Sequence, residues 1–311
     1  MIAYQMLLDA LSADGVDVKE NVPLSAHTTF RVGGAARIGI FPTSEQEVAA
    51  ALRAVKEIAV PLFVLGGGSN LLAPDAGYPG AVLFTEGLRG IECEETEEGA
   101  ILTAGAGVHL SLLARRAEEL GLTGAEFLYG IPGTVGGAVV MNAGAYGGET
   151  AQILVSSRGI DRNDPLRIFE RSLEEHCYGY RSSTYLDHPE LLVLSARFAL
   201  PHGDRAEISE RMRTLLQQRK EKQPLEYPSA GSFFKRPVGT FAGKLIEDCG
   251  LKGYRIGGAE VSVKHAGFLI NRGGATEADV RALSAYVRET VLRETGYLLE
   301  SEVRVMEGTA P

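Results

Sequence analysis

The sequence predicts an α+β protein in two parts. Short helical and strand patterns alternate through the first two-thirds of the chain without a regular βαβ repeat. Glycine clusters stand at the ends of several apolar runs. Glycine accounts for 38 of the 311 residues, a larger share than the average of about 7%. The composition changes near "PHGDRAE", so we place a domain boundary there, between parts 1–201 and 202–311.

The first part contains three predicted helices. Residues 2–13 form a short one, and "SEQEVAAALRAVKEIA" begins at a capping box of Ser44 and Glu47. The third, "HLSLLARRAEEL", has four apolar residues on one face, Leu110, Leu113, Ala114 and Ala117. The predicted strands are "PLFVL", "AVLF", "GIECEE", "GAILTAGAG" and segments 137–141, 152–160, 166–170 and 191–199.

The second part alternates helices and strands as well. Its predicted helices are "RAEISERMRTLLQQRKEK", "TFAGKLIEDCG" and "TEADVRALSAYVRETVLRET", and its strands are "AGFLIN" and "YLLESEVRVM". Alternation along the last strand places Glu300, Glu302 and Arg304 on one face, opposite Ser301, Val303 and Val305. In "SAGSFFKRP", alternation likewise predicts that only one of Phe233 and Phe234 faces inward.

Composition limits the classes of function. Net charge is −9, which argues against general binding to nucleic acid or a membrane surface, so an anionic ligand needs local cations or backbone N–H groups. Cys93, Cys177 and Cys249 are few and far apart, which favours a reducing compartment and no disulfide or zinc site. The sequence shows neither a signal peptide nor a membrane helix. We expect a cytoplasmic monomer without a metal.

The segment "LGGGSNLL" can bind phosphate through its backbone. Consecutive N–H groups belong to Gly66, Gly67, Gly68, Ser69 and Asn70, and such a turn can form a nest for an anion. It matches neither the Walker A loop nor G-x-G-x-x-G. A plain hairpin turn is the competing interpretation.

A second cluster repeats the feature further along the chain. Gly130, Gly133, Gly136 and Gly137 surround Thr134, after another apolar run. One such cluster could be a tight turn, but two in the same part favour a diphosphate-containing nucleotide held largely by backbone. Flavin adenine dinucleotide (FAD) fits the absence of Rossmann and P-loop signatures.

Seven segments in fixed order resemble a known family. They are "LSAHTTFRVGG", "VLGGGSNLL", "GIPGTVGGAVVMNAGAYGGE", "YRSSTY", "SAGSFFKRP", "KHAGFLIN" and "LESEVR", and they span about residues 22 to 306. The chain resembles the UDP-N-acetylenolpyruvoylglucosamine reductase family (MurB). Only about 45 residues separate "YRSS" from "SAGS", as in the shorter subtype without the tyrosine-bearing loop.

The resemblance implies a fold, a reaction and two cofactors. The fold is an FAD domain of the vanillyl-alcohol-oxidase type, with lobes of about 1–85 and 86–201, plus a C-terminal substrate domain. The reaction takes hydride from NADPH, through non-covalent FAD, to the enolpyruvyl ether of UDP-N-acetylglucosamine enolpyruvate. The product is UDP-N-acetylmuramate, a peptidoglycan precursor.

The resemblance also implies three catalytic residues. Ser232 would donate the closing proton, Arg181 would clamp the enolpyruvyl carboxylate, and Glu302 would assist at the flavin. Taken without the family, Ser232 reads as a turn cap, Arg181 as a surface arginine and Glu302 as part of a solvated face. Ser232 does not lie in G-x-S-x-G, so a hydrolase nucleophile is not supported. Ser301 replaces the proline that most relatives have there.

Further residues are assigned to the ligands. Arg304 would lie near the cofactor, and Ala230 and Gly231 would let backbone approach the flavin. The candidates for substrate contact are Tyr180, Lys222, Lys235, Arg236, Lys264 and His265. A lone histidine is more often structural, and Tyr180 could equally belong to a core.

Two other classes of protein remain open on the sequence. One is a flavin-linked oxidase that uses oxygen, in which a histidine such as His109 can tether FAD. The other is a nucleotide-sugar binding module without chemistry, which the joint presence of Arg181, Ser232 and Glu302 argues against.

Overall fold

The computed structural model describes residues 2–307 and divides the chain into two compact units. The first unit comprises residues up to Glu20, Ile38–Gly67 and Gly80–Gln218. The second comprises Asn21–Arg37, Gly68–Pro79 and the chain from Arg219 onward. Two early segments therefore belong with the C-terminal part, which a boundary after residue 201 does not include. Among residues 2–307, no helix is long and apolar enough to cross a membrane.

A four-stranded sheet is formed by strands early in the chain. Its order is β1-β2-β5-β3, with β3 and β5 parallel. The elements are α1 (Ile2–Ala13), β1 (Asp17–Pro23), β2 (Ala35–Phe41), α2 (Glu45–Ile58), β3 (Leu62–Leu65), β4 (Leu71–Leu72) and β5 (Tyr78–Phe84). Helix α2 begins where predicted, because Ser44 accepts from the Glu47 N–H at 3.2 Å. A full capping box would also need the Glu47 carboxylate to accept from the Ser44 N–H, but this carboxylate accepts from the Thr43 N–H instead.

A five-stranded sheet follows in the first unit. Its order is β11-β10-β12-β7-β6, and each neighbouring pair is antiparallel. The elements are β6 (Ile91–Glu95), β7 (Gly99–Gly105), α3 (Leu110–Glu119), α4 (Val135–Met141), β8 (Gly144–Ala145), β9 (Gly148–Glu149), β10 (Leu154–Asp161), β11 (Asp164–Ser172), α5 (Thr184–Asp187) and β12 (Leu191–Pro201). The four apolar residues predicted on one face of α3 are all buried.

The second unit has a four-stranded sheet of order β13-β16-β15-β14. Helix α6 (Arg205–Lys222) lies in the first unit as far as Gln218. The elements after it are β13 (Ser229–Ser232), α7 (Ala242–Asp248), β14 (Arg255–Ile256), β15 (Ala259–Val261), β16 (Phe268–Asn271), α8 (Glu277–Thr295) and β17 (Arg304–Val305). Its core contains Phe30, Val32 and Leu72 together with residues of α7 and α8. These three buried side chains explain why the two early segments belong to this unit.

Three predictions about local structure are wrong. Segment 137–141 lies in helix α4, because a short apolar run has no period that separates strand from helix. The final strand is only Arg304–Val305, paired in parallel with β4, and Ser301 does not share a buried face with Val303. Phe233 and Phe234 are both buried, at 3% and 2% exposure, because β13 ends at Ser232 and its alternation stops there.

Candidate active site

The first glycine-rich loop follows β3, and its backbone packs closely within the second unit from Gly68 onward. Gly68 has φ +59°, and a Cβ added there would lie 2.0 Å from the His27 carbonyl oxygen. The Gly68 carbonyl accepts from the backbone N–H of Thr29 at 3.1 Å. Only glycine permits both this φ and this approach. Ser69 and Asn70 continue the loop as a half-buried turn.

The start of the same loop lies against the second glycine cluster. A Cβ on Gly67 would lie 3.0 Å from Gly133 Cα, and a Cβ on Gly66 would lie 3.0 Å from Thr134 Oγ1. Gly66 and Gly67, the part of the first cluster that lies in the first unit, are therefore neighbours of the second cluster. Their approach requires the small residues found there.

Thr134 carries a buried hydroxyl without a partner among the described residues. Its side chain is 1% exposed, and Oγ1 accepts and donates no hydrogen bond within residues 2–307. It precedes α4 but does not cap that helix. An unsatisfied buried polar group lowers the stability of the folded state by about 1–3 kcal/mol. A ligand atom that accepts a hydrogen bond from this hydroxyl would remove that penalty. The two glycine clusters and this hydroxyl fit a cofactor with a diphosphate.

The other two glycines of the cluster differ in their surroundings. Gly136 donates its N–H to the Ala106 carbonyl at 2.9 Å, and a Cβ there would lie 3.0 Å from Ala106 Cβ. Packing is thus enough to explain glycine at position 136. Gly137 is exposed, and the nearest atom to an added Cβ is Thr134 Oγ1 at 3.9 Å. Its backbone is open to a ligand.

Arg181 lies in a tight turn that a bridge between Gly179 and Ser182 closes. It adopts φ +53°, and its guanidinium donates to the Asn142 and Gly144 carbonyls at 3.4 and 3.3 Å. Its Cζ stands 5.2 Å from the Tyr180 ring centroid. Tyr180 is 54% exposed, so it does not belong to a core. Arg181 is half-buried and Tyr180 is exposed, so the two side chains present a polar and aromatic surface on the first unit.

Ser232 ends strand β13 with its side chain exposed. The pairing of β13 with β16 shifts register between Ser229 and Ser232, and Gly231 has φ +79° in this bulge. Ala230 is buried on the other side. Within residues 2–307 the Ser232 hydroxyl forms no hydrogen bond, so it does not act as the turn cap that the sequence also allowed. The bulge leaves this hydroxyl available to a ligand.

Glu302 is tied directly to the residue after Ser232. Its N–H donates to the Phe233 carbonyl at 2.9 Å, and the Val303 N–H lies 3.4 Å from the same oxygen. Its own carbonyl accepts from Asn70 Nδ2 at 3.1 Å. These backbone hydrogen bonds bring Ser232 and Glu302 close together in the second unit, although 70 residues separate them in sequence.

Asn70 and Arg304 meet through their backbones. The Arg304 N–H donates to the Asn70 carbonyl at 3.1 Å, in the parallel pair of β17 with β4. The Arg304 side chain is exposed. Asn70 thus anchors the segment that carries Glu302 and Arg304, a contribution that its place in a glycine-rich loop did not reveal.

The predicted phosphate-binding cations lie on several parts of the second unit. Lys235 pairs with Glu300 at 3.3 Å, and the Arg236 Cζ stands 4.6 Å from the Phe241 ring centroid. Lys264 donates to the Lys220 carbonyl at 2.6 Å. Lys222 is exposed at the end of α6.

His265 is a half-buried residue with a defined tautomer. Its Nδ1 accepts from the Gly267 N–H at 3.1 Å, which leaves the proton of the neutral ring on Nε2. Burial lowers the pKa of His265, and nearby Lys252 lowers it further. A neutral histidine is a weak phosphate ligand, so this geometry favours the structural interpretation. Among residues 2–307, no cluster of His, Cys, Asp and Glu could hold a metal.

Comparison with known proteins decides the family. A UDP-N-acetylenolpyruvoylglucosamine reductase from Clostridium novyi is 46% identical over 293 residues, covering 94% of this chain and 93% of the relative. The same enzyme from Lachnoclostridium phytofermentans is 45% identical and covers 98% of this chain and 97% of the relative. The chain belongs to the UDP-N-acetylenolpyruvoylglucosamine reductase family. A family model for the C-terminal domain of these reductases matches residues 223–306, and an FAD-binding domain matches 36–164.

A solved structure agrees with this family. The reductase (MurB) from Thermus caldophilus has a TM-score of 0.77 and 35% identity, covering 94% of this chain and 99% of that one. The predicted fold class, an α+β chain with an FAD-binding domain and a C-terminal reductase domain, is confirmed. The oxidase alternative is not supported, because reductases of this family match the chain almost end to end. His109, its candidate tether, is exposed at the start of α3.

Sequence reasoning missed two residues near the candidate site. His27 borders Gly68 through its carbonyl, although the two are distant in sequence. Asn142 holds the turn of Arg181 and adopts φ +44°. Asn is a residue that tolerates this conformation at a helix end, so "VVMNAG" carried a weak signal for a C-cap, had the helix itself been predicted.

Proposed function

We propose that this protein is an NADPH-dependent flavin oxidoreductase that reduces the enolpyruvyl ether of UDP-N-acetylglucosamine enolpyruvate to UDP-N-acetylmuramate. The observation that carries the proposal is the identity of 45–46% over more than nine-tenths of the chain with reductases of that name. The neighbouring positions of Ser232 and Glu302 support it from the structure. This reaction is a step in the synthesis of peptidoglycan precursors.

The cofactor is FAD, held without a covalent bond. Gly66, Gly67, Gly133 and Thr134 would hold its diphosphate, since two backbone segments and one unpartnered hydroxyl meet there. When bound, the flavin supplies hydride equivalents taken from NADPH. Gly68, Ser69, Asn70, Gly136, Gly137 and Arg304 complete the predicted set of cofactor residues.

Arg181 would bind the carboxylate of the enolpyruvyl group. Reduction of the conjugated double bond places negative charge on the neighbouring carbon and on this carboxylate. A guanidinium keeps its charge at any working pH and can bind both carboxylate oxygens. It would therefore stabilise the enolate-like transition state more than the substrate.

Ser232 would deliver the closing proton to that carbon. Its hydroxyl is exposed and makes no hydrogen bond within residues 2–307, so its proton is available to a substrate. A serine is a weak acid in water, but a carbanion-like carbon is basic enough to accept its proton when the geometry is fixed. The bulge at Gly231 and the backbone bonds to Glu302 provide that fixed geometry. Glu302 would orient or polarise the reacting groups.

Several finer predictions accompany this reaction. Lys222, Lys235, Arg236, Lys264 and Tyr180 are proposed to contact the nucleotide sugar, with His265 the weakest of the set. The protein is proposed to work in the cytoplasm as a monomer that binds neither nucleic acid nor membrane. The domain boundary after residue 201 separates the two segments that family models match, which supports it.

A substrate assay tests the function. The purified protein should be yellow, and UDP-N-acetylglucosamine enolpyruvate should accelerate NADPH oxidation, whereas UDP-N-acetylglucosamine should not. Acid precipitation should release the flavin into the supernatant. Flavin-loaded protein that shows no turnover with the enolpyruvyl substrate would contradict the proposal.

A further inference from the structure

The end of helix α4 forms a platform for the turn that carries Arg181. Between Val139 and Gly144, at and just after the end of this helix, four carbonyls accept hydrogen bonds from side chains of residues 178–183. The pairs are Tyr178 Oη to Val139 O at 2.9 Å, Ser183 Oγ to Val140 O at 2.6 Å, Arg181 Nη1 to Asn142 O at 3.4 Å and Arg181 Nη2 to Gly144 O at 3.3 Å. The turn is therefore attached to one short stretch of chain.

Asn142 is the residue of this platform that uses its side chain as well. It is 2% exposed and caps α4 in a left-handed conformation with φ +44°. Its Nδ2 donates to the Gly179 carbonyl at 3.2 Å, and its Oδ1 accepts from the Ala151 N–H at 3.0 Å. Its own carbonyl accepts from Arg181. One buried residue thus holds both the backbone of the turn and the guanidinium.

The turn itself needs such support. Arg181 and Cys177 both have positive φ, +53° and +49°, which side chains other than glycine adopt at an energetic penalty. A strained conformation persists only where surrounding contacts specify it. The contact from Asn142 to Gly179 lies between these two strained residues, so its loss would release the turn.

We propose that Asn142 is a positioning residue for Arg181, setting the guanidinium to receive the carboxylate of the substrate. This inference rests on the proposed function, in which Arg181 binds the enolpyruvyl carboxylate. Asn142 touches neither the reacting atoms nor the carboxylate in this scheme. It acts through the Gly179 carbonyl and through the guanidinium.

The competing interpretation is that Asn142 only ends helix α4. Glycine is also well suited to a left-handed C-cap, so Asn142→Gly keeps the helix end and removes only the two side-chain hydrogen bonds. A role in helix termination predicts little change for that variant. A positioning role predicts selective loss of carboxylate binding.

The experiment measures two dissociation constants on the flavin-loaded enzyme without NADPH, so that no turnover occurs. The ligands are UDP-N-acetylglucosamine enolpyruvate and UDP-N-acetylglucosamine, which lacks the carboxylate. For Asn142→Gly we expect about a tenfold rise in Kd for the first ligand and no change for the second, a difference of about 1.4 kcal/mol. The flavin spectrum and the rate of flavin reduction by NADPH should match those of the unsubstituted protein.

Two variants serve as controls. Asn21→Gly changes another asparagine with positive φ, an exposed one in the second unit, and should alter neither constant. Asn142→Asp keeps the acceptor for Ala151 and removes the donor to Gly179, so it should repeat the selective loss if Asn142→Gly fails to fold.

Comparison with Arg181→Met separates the possible failures. If Arg181→Met weakens the enolpyruvyl ligand selectively and Asn142→Gly does not, the positioning role is overturned and the proposed function stands. Equal weakening of both ligands by Asn142→Gly also overturns it. If Arg181→Met leaves the two constants unchanged, the assigned function of Arg181 fails, and the inference fails with it.

Discussion

Replacement of Gly68 by alanine should destabilise the protein more than the same change at a glycine in open space. At Gly68 an added Cβ would lie 2.0 Å from the His27 carbonyl oxygen and 2.9 Å from Thr28 Cα, so backbone must move. Gly15 has a similar φ, +75° against +59°, but an added Cβ meets nothing within 4 Å. Gly15→Ala therefore isolates the penalty of the left-handed conformation.

The magnitudes follow from these two environments. Alanine in the left-handed region costs about 1–2 kcal/mol at either position. Overpacking against backbone adds about 1–3 kcal/mol at Gly68 alone. Movement of the loop would also stretch the bond from the Thr29 N–H to the Gly68 carbonyl, now 3.1 Å long. At about 2–4 °C per kcal/mol, the midpoint of Gly68→Ala should lie about 2–12 °C below that of Gly15→Ala.

Thermal unfolding of both variants measures the difference. Excess FAD should be present, because loss of a bound cofactor lowers the apparent midpoint by itself. The flavin retained after gel filtration is measured separately and should fall for Gly68→Ala only. Equal midpoints and equal flavin content in the two variants would refute the close approach of Gly68 to residues 27 and 28.

Two further predictions concern a buried hydroxyl and a buried histidine. Thr134→Val removes an unpartnered hydroxyl at constant shape, so FAD affinity should fall about tenfold while the apoprotein loses no stability. Unchanged affinity for FAD would exclude Thr134 from cofactor binding. Burial holds the pKa of His265 below its unfolded value, so the unfolded chain takes up the proton first as the pH falls. Stability contributed by His265 is present above about pH 6.5 and is lost below it. The variant His265→Asn can still accept a hydrogen bond from the Gly267 N–H. Below about pH 6.5 its unfolding midpoint should depend less on pH than that of the unsubstituted protein. An unchanged pH dependence would show that His265 does not titrate in this range.

Much of the secondary structure could be predicted because its determinants are local. The cap of α2 at Ser44 and the apolar face of α3 need only neighbouring residues. Helix α4 was missed because seven residues of small and apolar type contain too little periodicity. The two-residue strand β17 depends on its partner β4, which lies more than 200 residues earlier in the chain.

The site was predicted in its chemistry and less well in its arrangement. The two glycine clusters could be matched to one ligand from composition, and they are neighbours at Gly67 and Gly133. The support of Arg181 by Asn142 and the anchoring of Glu302 by Asn70 are tertiary contacts, for which one sequence holds no direct signal. The membership of residues 21–37 and 68–79 in the second unit follows from a shared core, which a change of composition along the chain cannot reveal.

Rapid mixing of Ser232→Ala, with the two half-reactions followed separately, tests the role of Ser232 as proton donor most directly. NADPH should reduce the flavin at nearly the rate of the unsubstituted protein, whereas reoxidation by UDP-N-acetylglucosamine enolpyruvate should slow by about 10²–10⁴-fold, the range for loss of a proton donor. Ser229→Ala, on the same strand, should leave both rates unchanged. Reoxidation at the original rate in Ser232→Ala would contradict the assignment of the proton donor.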